Sequence, residues 1–312
     1  MYKTLLVPLD RSKLAEAPLD YAVWLAEKSG ARLVLMNVCG PQDCACEPEQ
    51  CKIIPEARQY LEEKVRSVEQ RMASTGSAVK VGLHLAAGDP ATQILGYIDQ
   101  NQVDLVVMAT HGRSGVSRWL IGSVADRVVR MSNKPVRLTK SFAKEKENKG
   151  EHPDQRILVL LDGSELSESI LPHAIHLARM SGGELILLSV CTPPDILNPI
   201  SYHLIPDRYP PTRPVQWQKY ADREVGRRKK QCSKYLDEVQ DRVKREGVSL
   251  KTESPLGEPA EEILKYIEDQ QIDLVAMATH GRSGIARWRL GSVAEKVLIA
   301  ASSPVLLIRP TR

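Results

Sequence analysis

Apolar positions along the chain fall into two alternating registers. Short runs in which almost every residue is apolar, TLLVPL (4–9), RLVLMNV (32–38), AVKVGLHLA (78–86), DLVVMA (104–109) and PVRLT (135–139), predict strands covered on both faces. Between them LAEAPLDYAVWLAEKSG (14–30) and ARQYLEEKVRSVEQRMASTG (57–76) place apolar residues at helical spacing and end in glycine, a frequent residue just past a helix. ATQILGYIDQ (91–100) and the segment from about 118 to 131 predict two further helices. Strand–helix alternation with short connections implies right-handed crossovers and a parallel sheet with helices on both sides.

The same pattern then recurs. LLVPLDRS (5–12) returns as LVLLDGS (158–164), ARLVLMNVC (31–39) as GELILLSVC (183–191), and GDPATQIL (88–95) as GEPAEEIL (257–264). Between Asp104 and Val128, 18 of 25 residues are identical to Asp273–Val297. The fold class expected is therefore α/β, with two tandem doubly wound, Rossmann-like parallel sheets of five strands each. The halves are expected at 1–140 and 155–312, joined by the charged segment 141–154. The distance from Asp10 to Asp162 is 152 residues and from Gly112 to Gly281 it is 169. The difference lies in a Pro- and aromatic-rich insertion at about 192–218, carrying Tyr202, Tyr209 and Trp217, which reads as a lid, a partner surface or an ordered decoration.

Composition narrows the class without changing it. A length of 312 residues suits two ordinary domains, and no apolar run approaches the ~18 residues a membrane span needs. The opening MYKTLLVPLD is unlike a signal peptide, so a cytoplasmic location is expected. A net charge of +4 against 43 basic and 39 acidic residues gives no reason to expect nucleic acid or membrane as the main partner. The run DREVGRRKKQCSK is expected to solvate a helix face.

Candidate chemistry gathers where such folds bind ligands, beyond the carboxyl ends of strands at the switch in strand order. Each half puts an Asp after its first strand (Asp10, Asp162), a Val at the end of its second (Val38, Val190) and an ATHG turn after its fourth. Gly112 and Gly281 are each followed by nine residues and then by Gly-Ser opening a helix, at Gly122-Ser123 and Gly291-Ser292. Free N–H groups and the helix dipole there suit an anion, and glycine lets backbone approach it closely, so a phosphate is the expected guest.

This G-x2-G-x9-G-S pattern, with an Asp closing the first strand, resembles the universal stress protein family, in a tandem form of its ATP-binding branch. The first glycine of the motif is replaced by Ala109 and Ala278. The resemblance implies an adenine nucleotide alpha hydrolase-like fold and an ATP cofactor, with or without Mg. It implies that Asp10 and Val38 meet adenosine, that Met108 and Ala109 line the pocket, and that Gly112, Gly122, Ser123 and Val124 hold the phosphates. In the second half the same places fall to Asp162, Val190, Met277, Ala278, Gly281, Gly291, Ser292 and Val293. Arg113, Arg282, Ser12 and Ser164 are further candidates for phosphate contact.

Plainer roles stand beside these. Asp10 and Asp162 could cap the following helix, His111 and His280 could be internal hydrogen-bonding groups, and Trp119 and Trp288 could anchor a helix face. No GxxxxGK[ST] loop and no Ser-His-Asp order occurs, which favours an ATP-responsive regulator over an efficient enzyme, with slow ATP hydrolysis left open. A second reading comes from Cys39, Cys44, Cys46 and Cys51, spaced C-x4-C-x-C-x4-C, which could bind zinc or another soft metal or act as a redox switch. The last strand of each half, PVRLTK (135–140) and PVLLIR (304–309), is an edge suited to pairing, either between the two halves as a pseudo-dimer or in a homodimer.

Overall fold

The computed structural model describes residues 2–40, 53–110, 121–140, 153–193, 214–279 and 290–310. The first half runs β1 (Thr4–Pro8), α1 (Lys13–Glu16), α2 (Leu19–Ser29), β2 (Arg32–Cys39), α3 (Ile53–Ser74), β3 (Val81–Ala87), α4 (Pro90–Gln100), β4 (Leu105–Ala109), α5 (Ser123–Met131) and β5 (Val136–Thr139). The second half repeats this order as β6 (Arg156–Leu160), α6 (Glu165–Glu168), α7 (Leu171–Ser181), β7 (Glu184–Leu188), α8 (Pro214–Lys244), β8 (Ser249–Glu253), α9 (Pro259–Asp269), β9 (Leu274–Ala278), α10 (Ser292–Ala300) and β10 (Val305–Ile308). Helix α8 begins inside the segment expected as inserted loop.

All ten strands form one sheet, ordered β3-β2-β1-β4-β5-β10-β9-β6-β7-β8. Each half is a parallel five-stranded set, and the two expected sheets share an edge through antiparallel pairing of β5 with β10. Strand β1 lies between β2 and β4, so the chain order reverses there, and β6 does the same between β7 and β9.

The apolar runs of the sequence are buried on both faces because helices cover both. One core, containing Leu5, Val7, Leu33 and Leu35, packs beneath α2 and α3 and continues across the seam to Ile157, Val159 and residues of α7 and α8. The opposite core holds Leu6, Val34, Val106 and Val128 beneath α4 and α5 and continues to Leu158, Val275 and Val297. Helices α2 and α7 each stop at a glycine in the left-handed region, Gly30 at φ 67° and Gly182 at φ 69°, where a side chain would be strained.

Polar contacts tie the seam in matched pairs. Lys140 Nζ donates to Ile299 O (2.6 Å) at the end of α10, and Arg309 donates to Met131 O (3.2 Å) at the end of α5, so each half sends a cation to the other's negative helix terminus. On the other face the Tyr2 hydroxyl meets His173 Nδ1 at 3.1 Å, and the Tyr21 hydroxyl donates to Asp154 Oδ2 at 2.8 Å. Tyr2 and Asp154 precede the first strand of each half at matching positions, and Tyr21 on α2 matches His173 on α7. Asp154, at the end of the segment read as linker, is completely buried beside Arg137.

Candidate nucleotide site

Construction begins at the turn after β1. Leu9 N donates to Met36 O (2.7 Å), carrying the β1–β2 pairing one residue past the strand, and Asn37 Nδ2 donates to Leu9 O (2.6 Å). Asp10 is thereby fixed at the carboxyl end of β1. Its Oδ1 accepts from Ser12 N (3.0 Å) and from Ser12 Oγ (2.6 Å), while that same Oγ accepts from Ala15 N (3.1 Å). Asp162, Ser164 and Ser167 repeat the arrangement at 3.0, 2.6 and 3.1 Å. The helix cap is thus the serine and not the aspartate. The carboxylate orients the capping hydroxyl from two residues away, a common geometry for Asp in a turn.

The residue between Asp and Ser must take a left-handed backbone, and the halves meet this differently. Gly163 has φ 84° and Arg11 has φ 69°. The opposing helix braces the short helix that follows: Glu16 accepts from the Tyr60 hydroxyl (2.8 Å) and Lys64 Nζ (2.7 Å), and Glu168 accepts from Arg242 Nη2 (2.6 Å). Burial, then the Glu16 hydrogen bond, raises the pKa of the Tyr60 hydroxyl and keeps it a donor.

The second wall is the end of β4. Met108 and Ala109 are buried in the strand, and Thr110, also buried, extends the pairing through its N–H to Thr139 O at 2.9 Å. Thr110 O then accepts from Gly122 N (2.8 Å), bringing the start of α5 back over the strand end. In the second half Thr279 N donates to Ile308 O (2.8 Å) and Gly291 N to Thr279 O (3.0 Å), with Met277 and Ala278 likewise buried.

Helices α5 and α10 begin at Gly122 and Gly291, and neither has a side-chain cap. The first intrahelical bonds are Asp126 N to Gly122 O (2.9 Å) and Glu295 N to Gly291 O (2.8 Å). The N–H groups of Ser123, Val124, Ser292 and Val293 therefore belong to the unbonded first turn, where the dipole is positive. Ser123 and Ser292 are exposed, and Val124 and Val293 half-buried. A Cβ on Gly291 would meet only Thr279 O, at an ordinary 3.6 Å, so packing within the described residues does not require glycine there.

Strand pairing brings these parts together: β1 lies beside β2 and β4, and β6 beside β7 and β9. Asp10, Val38, Ala109 and Gly122 thus share one sheet end, as do Asp162, Val190, Ala278 and Gly291. Val38 is the last residue but one of β2, whereas Val190 lies just past β7, and both are half-buried. Gly112, Arg113, Gly281 and Arg282 lie outside the described residues, as do His111, His280, Trp119, Trp288, Tyr202 and Tyr209.

The proposed metal loop is not assembled by the described residues. Cys39 is buried at 1% exposure, with its thiol 3.8 Å from Asn37 Oδ1. Cys44, Cys46 and Cys51 lie outside the described residues, among which no group of three His, Cys, Asp or Glu side chains is placed to hold a metal. No helix among the described residues is long and apolar enough to cross a membrane.

The sequence reading missed Asn37 and Glu16. Asn37 is the one polar residue inside the apolar run LVLMNV (33–38), and Glu16 has no distinguishing signal.

Comparison with known proteins agrees with this architecture. The family model described as the universal stress protein family matches the chain twice, over residues 1–140 and 154–309. Universal stress protein YxiE of Bacillus subtilis is 30% identical over 154 residues, covering 49% of this chain and 98% of that protein. Universal stress protein Mb2019 of Mycobacterium bovis is 25% identical over 243 residues, covering 74% of this chain and 70% of that one. Among solved structures, a universal stress protein from Archaeoglobus fulgidus superposes with a TM-score of 0.67 at 21% identity, covering 98% of each chain, a likeness of fold.

Proposed function

We propose, for a chain that belongs to the universal stress protein family, that each half holds an adenine nucleotide, with ATP the preferred form, and that the protein is an ATP-responsive regulator acting in the cytoplasm. Adenosine lies over the ends of the first two strands, at Asp10 and Val38 or Asp162 and Val190, with Met108–Ala109 or Met277–Ala278 as the floor. The phosphates sit at the starts of α5 and α10, received by the N–H groups and hydroxyls that follow Gly122 and Gly291. The observation that carries this reading is the duplication of detail. Both halves keep the Asp–Ser turn and the Gly N–H to Thr carbonyl bond within 0.2 Å of each other, although the intervening helices differ.

The test is to denature freshly purified protein and quantify released nucleotide per chain by chromatography. ATP near about two per chain is expected, falling to about one in Gly122→Val and in Gly291→Val, and added ATP is expected to raise the melting temperature of emptied protein. No released nucleotide and no thermal shift would overturn the reading.

A further inference from the structure

The second half carries a pair of thiols that the first half lacks. Cys191, 1% exposed, sits just past β7, where its N–H donates to Pro255 O (2.8 Å) and its carbonyl accepts from Gly257 N (3.1 Å). Cys232 lies on α8 and is partly exposed. The sheet-facing side of α8 can be aligned with that of α3, because both helices run into a glycine at φ 70°, Gly76 and Gly247. In this register buried Met72 matches buried Val243, Val68 matches Val239, and the fully buried Leu61 matches Cys232. Cys232 therefore stands on the stripe that faces the sheet. One turn earlier on α8, Arg228 Nη1 donates to Thr192 O (3.1 Å), holding this part of the helix over the segment that begins with Cys191. Burial raises the pKa of Cys191, and the neighbouring Cys232 adds to that rise.

We infer that Cys191 and Cys232 are a reversible oxidation site, closed to a disulfide by hydrogen peroxide. Cys232 is the more accessible sulfur and so meets the peroxide first, reacting as its thiolate. The Cys232 thiolate attacks one peroxide oxygen, the O–O bond breaks, and the departing hydroxide takes a proton to become water, leaving Cys232 as a sulfenic acid. The sulfur of Cys191 then attacks that of Cys232, the S–O bond breaks, and the hydroxide lost takes up the Cys191 proton as a second water. Two thiols are oxidised by two electrons and one peroxide is reduced to two waters. The product pins α8 to the strand end beside Val190, and a thiol reductant reopens it. Cys39, at the place of Cys191 in the first half, has Leu61 where Cys232 stands and cannot form this bridge.

The experiment treats the intact chain with peroxide, alkylates the remaining thiols, digests it without reduction and maps the peptides by mass spectrometry. The expected product is a linked pair of peptides containing Cys191 and Cys232, two hydrogens lighter than their sum and separated by dithiothreitol. It is absent from Cys232→Leu, which installs the residue the first half uses, and in that variant Cys191 stays alkylatable. Oxidation is also expected to raise the melting temperature of the wild type but not of Cys232→Leu. Cys232 driven to sulfinic acid with Cys191 still free, or joined instead to Cys44, Cys46 or Cys51, would overturn the inference. The readout needs no nucleotide and is independent of the proposed function.

Discussion

At the scale of single residues, the two halves show how one turn tolerates different side chains only where its neighbours allow. Ala31, buried before β2, has Gly183 as its counterpart before β7. The difference follows from Asp154, whose φ of 60° turns its carbonyl toward this spot, where Ser181 Oγ donates to it at 2.9 Å. A Cβ on Gly183 would overlap Asp154 O and stand 2.7 Å from Gln155 O, both backbone atoms that cannot swing aside. Gly183→Ala is therefore expected to destabilise the chain by about 1–3 kcal/mol, read as a lower denaturant midpoint with an unchanged slope. The aspartates at the sites show the limit of reading such detail from sequence. Asp and Ser are both good caps, and LDRS or LDGS does not say which oxygen reaches the helix, because that depends on the left-handed residue between them.

Elements were far more legible than their contacts. The strands appeared as apolar runs because both sheet faces are covered, and α2 and α7 ended where glycine could adopt a positive φ. The length of α8 was hidden, since Pro214 and its neighbours read as part of a Pro-rich insertion, although proline suits a helix start. Of the candidate site, the Asp, Val and Gly-Ser positions could be placed by strand order alone, while the Asn37 and Glu16 braces depend on tertiary contacts. Helix α7 carries a contact of this kind. His173 faces the Tyr2 hydroxyl, with His176 and Asp104 also nearby, and burial first and His176 second lower its pKa from 6.5 to about 4. Above 6.5 the imidazole is neutral in both folded and unfolded chains. As pH falls from 6.5 toward 4 the unfolded chain takes up the proton and the folded one resists, so stability is lost across that window. Burial lowers His176 as well, so it contributes in the same direction. Thermal unfolding followed at steps of pH should show this decline, and His173→Gln should flatten it while leaving the part that His176 supplies.

For the whole molecule, the seam between halves decides the architecture, and its centre is chemically lopsided. Arg137 on β5 stands directly opposite Leu306 on β10, its counterpart in the repeat. Its side chain is 4% exposed, and its guanidinium lies 3.1 Å from Asp154 Oδ1 and 3.4 Å above the centre of the Tyr21 ring. Burial pushes the Asp154 carboxyl pKa upward, and Arg137 and the Tyr21 hydroxyl oppose that push. If two first halves met along the same edge, Arg137 would face Arg137, and the place of Asp154 would be taken by Tyr2. The pair therefore selects the pairing of first half with second. Such a pair is weak evidence of net stability, but breaking it strands a charge in a dry interior. Arg137→Leu, which copies the second half's own residue, is expected to cost about 3–5 kcal/mol in denaturant unfolding of the intact chain. Arg137→Leu with Asp154→Asn removes both charges and leaves an acceptor for the Tyr21 hydroxyl, so it should recover most of that loss. Losses that simply add in the double variant would mean that the two charges are not coupled, and that strand pairing, the two continuous cores and the other polar contacts of the seam hold the halves together without them.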